Sequence, residues 1–139
     1  HFKTEVRALL GKISLPVSKQ TAKEVRISEE RSLRYGRGLS KKVDFVIEVD
    51  GKNEFGVEVN FYTVSGSKPT EIKRSYGNIR QGLLSVGTDL IWITDGKGYK
   101  EMRKSLRDAY VILPNIYNLN QAKEYLAEDL IDLFCSEGG

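Results

Sequence analysis

Apolar and polar residues alternate most clearly along residues 43–62, VDFVIEVDGKNEFGVEVNFY, where two β-branched runs flank the turn sequence DGKN. Alternation with a period of two is typical of a strand that buries one face. Two such runs around an Asp-Gly turn predict an antiparallel hairpin. A later run, TDLIWITDG at residues 88–96, is apolar at nearly every central position. Such a run predicts a strand that is covered on both faces of its sheet.

Apolar residues at helical spacing, together with the stop and cap signals, predict five helices, over residues 2–13, 18–34, 70–85, 98–113 and 119–134. Gly11 lies near the end of the first helix, and the second is largely polar. Pro69 suits the start of the third helix with Ser67 as its candidate cap, and Asn120 is the candidate cap of the last. The order of elements predicts an α/β fold of the mixed α+β kind, a small mixed sheet with helices on its faces.

The chain has 139 residues, 40% of them hydrophobic, which suits one domain over residues 1–139 with a modest core. No apolar run reaches about 18 residues, so no membrane-spanning segment is expected. Charges interrupt the first residues, unlike a signal peptide, and no initiator Met begins the chain. We expect either a trimmed N-terminus or a part of a longer protein.

Histidine and cysteine are nearly absent, with only His1 and Cys135 in the chain. This excludes disulfides within the chain, Cys/His zinc sites and Ser-His-Asp triads, so any bound metal must be held by oxygen atoms. A cytoplasmic location is expected. Residues 1–43 carry eleven Lys and Arg against four acids, and residues 44–139 carry eleven against fifteen. The local basic excess is consistent with a polyanionic partner and equally with solvated surfaces.

Three polar residues lie inside the hairpin where a buried strand would carry Val or Ile: Asp44, Glu58 and Asn60. Residues two apart on a strand share a face, and so do residues directly opposed across a hairpin. A two-residue loop at 51–52 would oppose Asp44 to Val59 and separate the two acids. We therefore expect a three-residue loop or a β-bulge, which brings Asp44 opposite Glu58 or Asn60.

With that register the two carboxylates would lie about 5 to 8 Å apart, where they repel unless a cation lies between them. Mg²⁺ is commonly bound by one or two carboxylates, and it can activate water and offset charge on a phosphodiester. A solvated sheet face, on which acids alternate with apolar residues, explains the same spacing. The pattern alone leaves both interpretations open.

The arrangement Asp-x13-Glu-Val-Asn across a hairpin resembles the PD-(D/E)xK nuclease core, in which an Asp and an Asp/Glu-x-Lys on neighbouring strands hold a catalytic metal. More narrowly, VDFVIE…GVEVNFYTVSGSKPTEIKRSY followed by DLIWITDGKGYK…LRDAYVILPNIYNL resembles the C-terminal catalytic part of DpnII/MboI-type type II restriction endonucleases. The resemblance covers about residues 34–120. The segments EVNFY, GSK…E…RSY and W-x-T-D-G-x-G, in this order, make it specific.

The resemblance implies a homodimeric endonuclease, dependent on Mg²⁺ or Mn²⁺, that cuts double-stranded DNA at GATC-type sites. By position, it implies Asp44 and Glu58 as metal ligands and the backbone carbonyl of Val59 as a further ligand. Asn60 stands where the nuclease core has a catalytic Lys. Lys68, or else Lys73, is the candidate for the missing positive charge.

Polar and basic residues near the hairpin and along the following helix are candidate DNA contacts: Arg34, Arg37, Lys41, Ser67, Lys73, Arg74 and Asn78. Arg and Asn donate to base edges, and Lys donates to phosphates. Each basic residue is equally consistent with an ordinary solvated surface. Trp92 is expected in the core, and Asp95 as a turn or cap residue. Glu5 and Glu24 are further candidate metal ligands.

Two other interpretations stay open. A nuclease-like fold that has lost its chemistry, marked by Asn60, would bind DNA without cutting it. A structural or interaction domain would instead use the acidic segment at residues 124–137 to bind a partner. Affinity for duplex DNA that falls steeply with salt separates both nuclease interpretations from the third, and cleavage separates the first two.

Overall fold

The computed structural model describes residues 1–36, 38–61, 69–95 and 115–137, with the backbone alone for 69–76 and 136–137. Its strands form one sheet in the order β1 (Val25–Tyr35), β2 (Leu39–Val49), β3 (Lys52–Phe61), β4 (Asp89–Asp95) and β5 (Ile116–Tyr117). The first three strands pair antiparallel, and β4 runs parallel to β3 and to β5. This mixed sheet confirms the predicted α/β class.

The helices that flank the sheet are α1 (Phe2–Thr21), α2 (Pro69–Leu84) and α3 over residues 119–137. The last of these begins as Leu119–Gln121, passes through π-helical Ala122–Leu126 and ends as Ala127–Glu137. Asn118 caps it through a capping box with Gln121, so the prediction of Asn120 as the cap is wrong. No helix among the described residues is long and apolar enough to cross a membrane.

Among the residues whose side chains the structure describes, the sheet separates two hydrophobic cores of unequal size. In the large core, α1 and α3 pack against one face of the sheet, with Phe45, Val57 and Ile91 among the buried strand residues. In the small core, α2 packs against the other face. Its buried residues are Leu33, Val43, Val46, Leu83, Leu90 and Trp92. The strand alternation that the sequence shows therefore serves two cores, one on each side of the sheet.

Residues 18–34 are not the predicted helix. Helix α1 continues past Gly11 to Thr21, and the chain enters β1 at Val25. Leu33 is the one fully buried residue of β1, because this strand lies at the edge of the sheet. Neither a helical nor a strand period is therefore visible in its sequence. The predicted helix at 70–85 is confirmed as α2, while Ser67 and residues 98–113 lie outside the described residues.

The β2–β3 hairpin contains the predicted bulge. Its loop has two residues, Asp50-Gly51, so the bulge and not a three-residue loop sets the register, and both loop residues have left-handed backbone with φ of 51° and 81°. Positive φ at both central positions is typical of a tight type I′ hairpin turn. The register shifts between Ile47 and Glu48, so that Phe45 opposes Val57. One residue farther from the turn than this pair, Asp44 on β2 and Glu58 on β3 lie at corresponding positions.

The β1–β2 ribbon bends beside Asp44. Glu30 has a φ of 50°, and the register passes from Glu29–Phe45 to Arg31–Val43 without pairing Glu30 to Asp44. Beyond the bend, Leu33 and Val43 lie so close to Gly56 that an added Cβ there would be 3.1 and 3.2 Å from them. The distal ribbon, residues 31–43, therefore covers the small core and brings Lys41 towards Glu58.

Candidate active site

The carboxylate of Asp44 lies between β2 and β3. Its Oδ2 accepts a hydrogen bond from the backbone N–H of Val59 at 2.8 Å. In an extended strand the N–H and C=O of one residue point to the same side. The carbonyl of Val59 therefore faces the same carboxylate, which places two of the three implied metal ligands side by side.

Glu58 is almost completely buried, with 6% of its surface exposed. Its neighbours Val57 and Val59 pack against the large core, so Glu58 lies on the small-core face of β3. Lys41 Nζ lies 3.6 Å from Glu58 Oε2. Removing a carboxylate from water is costly unless a positive charge or hydrogen bonds offset its charge. Lys41 supplies part of that compensation.

The side chain of Asn60 is hydrogen-bonded to a buried residue of the small core. Its Oδ1 accepts a hydrogen bond from Trp92 Nε1 at 2.8 Å, and Trp92 is 1% exposed, as predicted for a core residue. The indole donor fixes the orientation of the amide, so the Nδ2 group points away from Trp92. Asn60 thus presents a neutral donor, not a cation. Asp95 ends β4 and accepts a hydrogen bond from the N–H of Leu119 at 3.3 Å, while the turn predicted to follow it lies outside the described residues.

The sequence reasoning missed Lys3. Helix α1 brings its Nζ to 3.1 Å from Asp44 Oδ1 and 2.5 Å from Glu30 Oε1. Hydrogen bonds to Glu30 and then to Asp44 raise the pKa of Lys3 above its usual value. Hydrogen bonds from Lys3 and then Lys42 lower the pKa of Glu30. Helical periodicity identifies the buried face of α1, but it does not show which strand lies beneath its first turn.

The oxygen donors at this site suit a hard divalent cation. Two carboxylates and one backbone carbonyl match the way Mg²⁺ is bound, with water completing the octahedron. Among the described residues, no group of three or more His, Cys, Asp or Glu side chains could hold a metal. Glu5 lines a groove between α1 and α3, and Glu24 pairs with Arg26 at 2.5 Å. In the part of the chain that the structure describes, neither acid contacts Asp44. The residue of α1 that contacts Asp44 is Lys3.

The predicted DNA contacts are spread over the molecule. Lys41 reaches Glu58, whereas Arg34 is exposed and lines a cavity with Lys52 and Thr88, by the start of β3. Asn78 is exposed on α2. The remaining candidates lie outside the described residues or have undescribed side chains: Arg37, Ser67, Lys68, Lys73 and Arg74.

Several known proteins resemble this chain in sequence. The sequence model of the DpnII restriction endonuclease family matches residues 2–129. The chain is 39% identical over 94 residues to the type II restriction enzyme DpnII of Streptococcus pneumoniae, covering 65% of this chain and 31% of that enzyme. It is 34% identical over 99 residues to the type II restriction enzyme MboI of Moraxella bovis, covering 70% and 33%.

A third relative is more distant in sequence. The type II restriction enzyme MjaIII of Methanocaldococcus jannaschii is 30% identical over 95 residues, covering 66% of this chain and 33% of that enzyme. The matched part corresponds to about a third of the length of each of these relatives. The family match, by contrast, covers most of the chain and includes α1, both strands of the hairpin and most of α3. The chain therefore belongs to the DpnII restriction endonuclease family.

Proposed function

We propose that residues 1–139 form the nuclease domain of a metal-dependent type II restriction endonuclease that hydrolyses double-stranded DNA at GATC-type sites. The observation that carries the proposal is the Asp44 carboxylate, which accepts from the backbone N–H of Val59, the residue that follows the buried Glu58. Family membership supports the reaction class. A homodimer acting in the cytoplasm is part of the proposal, because a two-fold symmetric protein matches a palindromic site.

Each residue of the site has a separate task in this proposal. Bound Mg²⁺ or Mn²⁺ would activate water and offset charge on the phosphate. Asp44, Glu58 and the Val59 carbonyl would hold the ion. Asn60, oriented by Trp92, donates from Nδ2 towards an oxygen of the water or the phosphate.

Several proposed DNA contacts act outside this cluster. The exposed side chains of Arg34 and Asn78 are available for phosphates or base edges. Arg37, Ser67, Lys73 and Arg74 complete the proposed contacts, and Lys68 stays a candidate for contact with the cleaved phosphate. Apart from Lys68, none of these residues is assigned to the metal ion or to the cleaved phosphate, so their loss should weaken DNA binding before it affects the chemical step.

Charge-neutral substitutions test the proposal directly. Asp44→Asn and Glu58→Gln keep the side-chain volume and remove one ionic ligand each, so cleavage of a GATC duplex in Mg²⁺ should fall at least about a thousandfold. Duplex affinity in Ca²⁺ and the melting temperature should stay close to wild type. Asp132→Asn, an exposed carboxylate on α3, is the matched control and should cut normally. Wild-type cleavage by either site variant would overturn the assignment.

A second candidate function is favoured by one observation. Asn60 occupies the lysine position, so the fold could bind DNA without cutting it. Plasmid incubated with Mg²⁺ or Mn²⁺, against an EDTA control, separates the two functions. Salt-dependent binding of duplex DNA without metal-dependent cleavage would show that the chain is an inactive DNA-binding domain.

A further inference from the structure

The site has a neutral amide where the nuclease core has a cation. Asn60 Oδ1 is bound to Trp92 Nε1 at 2.8 Å, so this amide is fixed in place and carries no charge. Hydrolysis of a phosphodiester develops negative charge on the phosphate oxygens, and a positioned positive charge stabilises it. If the chain is a nuclease, as proposed above, another residue near Glu58 should supply that charge.

Two lysines contact the two acids, and they differ in how they are held. Lys3 Nζ lies between two carboxylates, at 3.1 Å from Asp44 and 2.5 Å from Glu30. Lys41 Nζ has Glu58 as its carboxylate partner, at 3.6 Å, which is beyond ordinary hydrogen-bond distance. Moving Lys3 would break two close ion pairs, whereas moving Lys41 would break one loose pair.

Lys41 also lies on the appropriate side of the sheet. Residues 41 and 43 share a face of β2, and Val43 belongs to the small core together with Trp92, the partner of Asn60. The side chain of Lys41 is 32% exposed, so its ammonium group is accessible from solvent. The bend at Glu30 and Asp44 therefore brings a solvent-accessible ammonium group to the face that carries Glu58 and Asn60.

We propose that Lys41 supplies from β2 the positive charge that Asn60 lacks on β3, by binding an oxygen of the phosphate that is cleaved. This inference rests on the proposed nuclease function. A lysine ammonium has three donors and binds phosphate as a point charge, so Lys41 can donate to a phosphate oxygen while its charge stays near Glu58. Before DNA binds, Lys41 offsets the charge of the buried Glu58. With a divalent cation held at Glu58, that pairing would weaken and Lys41 would be available to the phosphate.

The test compares four variants with the wild-type chain in single-turnover cleavage of a GATC duplex with Mg²⁺. Lys41→Met removes the charge and keeps most of the aliphatic stem, and Lys41→Arg keeps the charge. Lys42→Met is the matched control, because Lys42 is adjacent on β2, is exposed and pairs with Glu30 instead. Lys3→Met tests the other lysine of the site.

We expect Lys41→Met to lower the cleavage rate by about 10²- to 10³-fold, the usual effect of removing one charge-stabilising donor. Its duplex affinity in Ca²⁺ should fall less than about tenfold, because only one phosphate contact is lost. Lys41→Arg should recover a large part of the rate. Lys42→Met should cut as wild type does.

Mn²⁺ affinity without DNA gives a second readout that does not depend on cleavage. Lys41→Met should bind Mn²⁺ more tightly than wild type, because the ammonium no longer competes for Glu58, and Lys42→Met should not. The inference is overturned if Lys41→Met cuts at the wild-type rate, if Lys41→Arg recovers nothing, or if only Lys3→Met loses activity. A wild-type chain that cuts no duplex overturns the nuclease function itself, and Lys41 then has no such role.

Discussion

The two faces of the sheet differ in what they hold. On the large-core face, α1 and α3 bury aliphatic and aromatic side chains against the central strands. On the small-core face, α2 and the bent ribbon cover fewer side chains, and Glu58, Asn60 and Lys41 lie beside them. Among the described side chains, most of the buried apolar ones therefore belong to one face of the sheet, and most of the polar site residues belong to the other. Mutations can test whether this division is real.

The largest effect on stability is expected on the large-core face. Phe45 is fully buried there, and Phe45→Ala should lower the free energy of unfolding by about 3–5 kcal/mol through lost burial and a residual cavity. Urea unfolding followed by fluorescence or circular dichroism measures this. Ile47→Val, on the same face, should cost about 1 kcal/mol. If Phe45→Ala cost no more than Ile47→Val, the large core would not be the main source of stability.

A smaller effect is expected where α2 meets the ribbon. A Cβ at Gly82 would overlap the ring of Tyr35, so Gly82→Ala should cost about 1–3 kcal/mol. Gly11 on α1 is the matched helical glycine, with nothing within 4 Å of an added Cβ. Gly11→Ala should therefore stabilise the protein by about 0.5–1 kcal/mol. Equal effects of the two substitutions in thermal unfolding would mean that the ribbon does not pack closely on α2.

The hydrogen bond between Trp92 and Asn60 links the small core to the site. Trp92→Phe keeps an aromatic ring and removes the Nε1 donor, so it should lower stability by about 1 kcal/mol. Because the amide of Asn60 loses its fixed orientation, cleavage should slow by about tenfold with little change in duplex affinity. In an Asn60→Ala background, Trp92→Phe should cost less. Additive effects of the two substitutions would show that the bond does not position Asn60.

Sequence reasoning predicted best the elements whose patterns are local. The alternation on both sides of Asp50-Gly51 predicts the hairpin, and the apolar run at 89–95 predicts β4, an interior strand of the sheet. The bulge could be predicted because Asp44 and Glu58 would otherwise lie on opposite faces. In each case the determining residues lie within one hairpin or one strand.

The features that the sequence did not show depend on distant contacts. Strand β1 has one buried residue, Leu33, because this strand lies at the edge of the sheet and pairs with β2 alone. β5 has two residues, too few for any period to be visible. The contacts of Lys3 with Asp44 and of Lys41 with Glu58 depend on the packing of α1 and on the bend at Glu30. Neither packing nor bend has a signature in a short stretch of sequence.

The smallest effect is expected at the ion pairs of Glu30, at the bend that separates the two halves of the ribbon. Lys3 and Lys42 lower the pKa of Glu30, so its stabilising contribution is present above its unfolded-state pKa, about 4.3, and is lost as the pH falls through the lower folded-state value. Lys3 behaves oppositely: with a raised pKa, its contribution is complete below its unfolded-state value and is lost as the pH rises through the folded-state value.

At neutral pH both contributions are therefore present; protonation in acid removes the one from Glu30, and deprotonation in alkali removes the one from Lys3. Glu30→Gln should leave the melting temperature less dependent on pH below about pH 4.3, while Glu128→Gln, an exposed substitution on α3, should keep the wild-type dependence. The effect should be small and should shrink further at high salt, because water and ions screen a half-exposed carboxylate. An NMR titration of the Glu30 carboxyl carbon measures the lowered pKa directly. A titration midpoint at or above the usual glutamate value would mean that Lys3 does not form the ion pair with Glu30. Lys3 would then be less restrained beside Asp44.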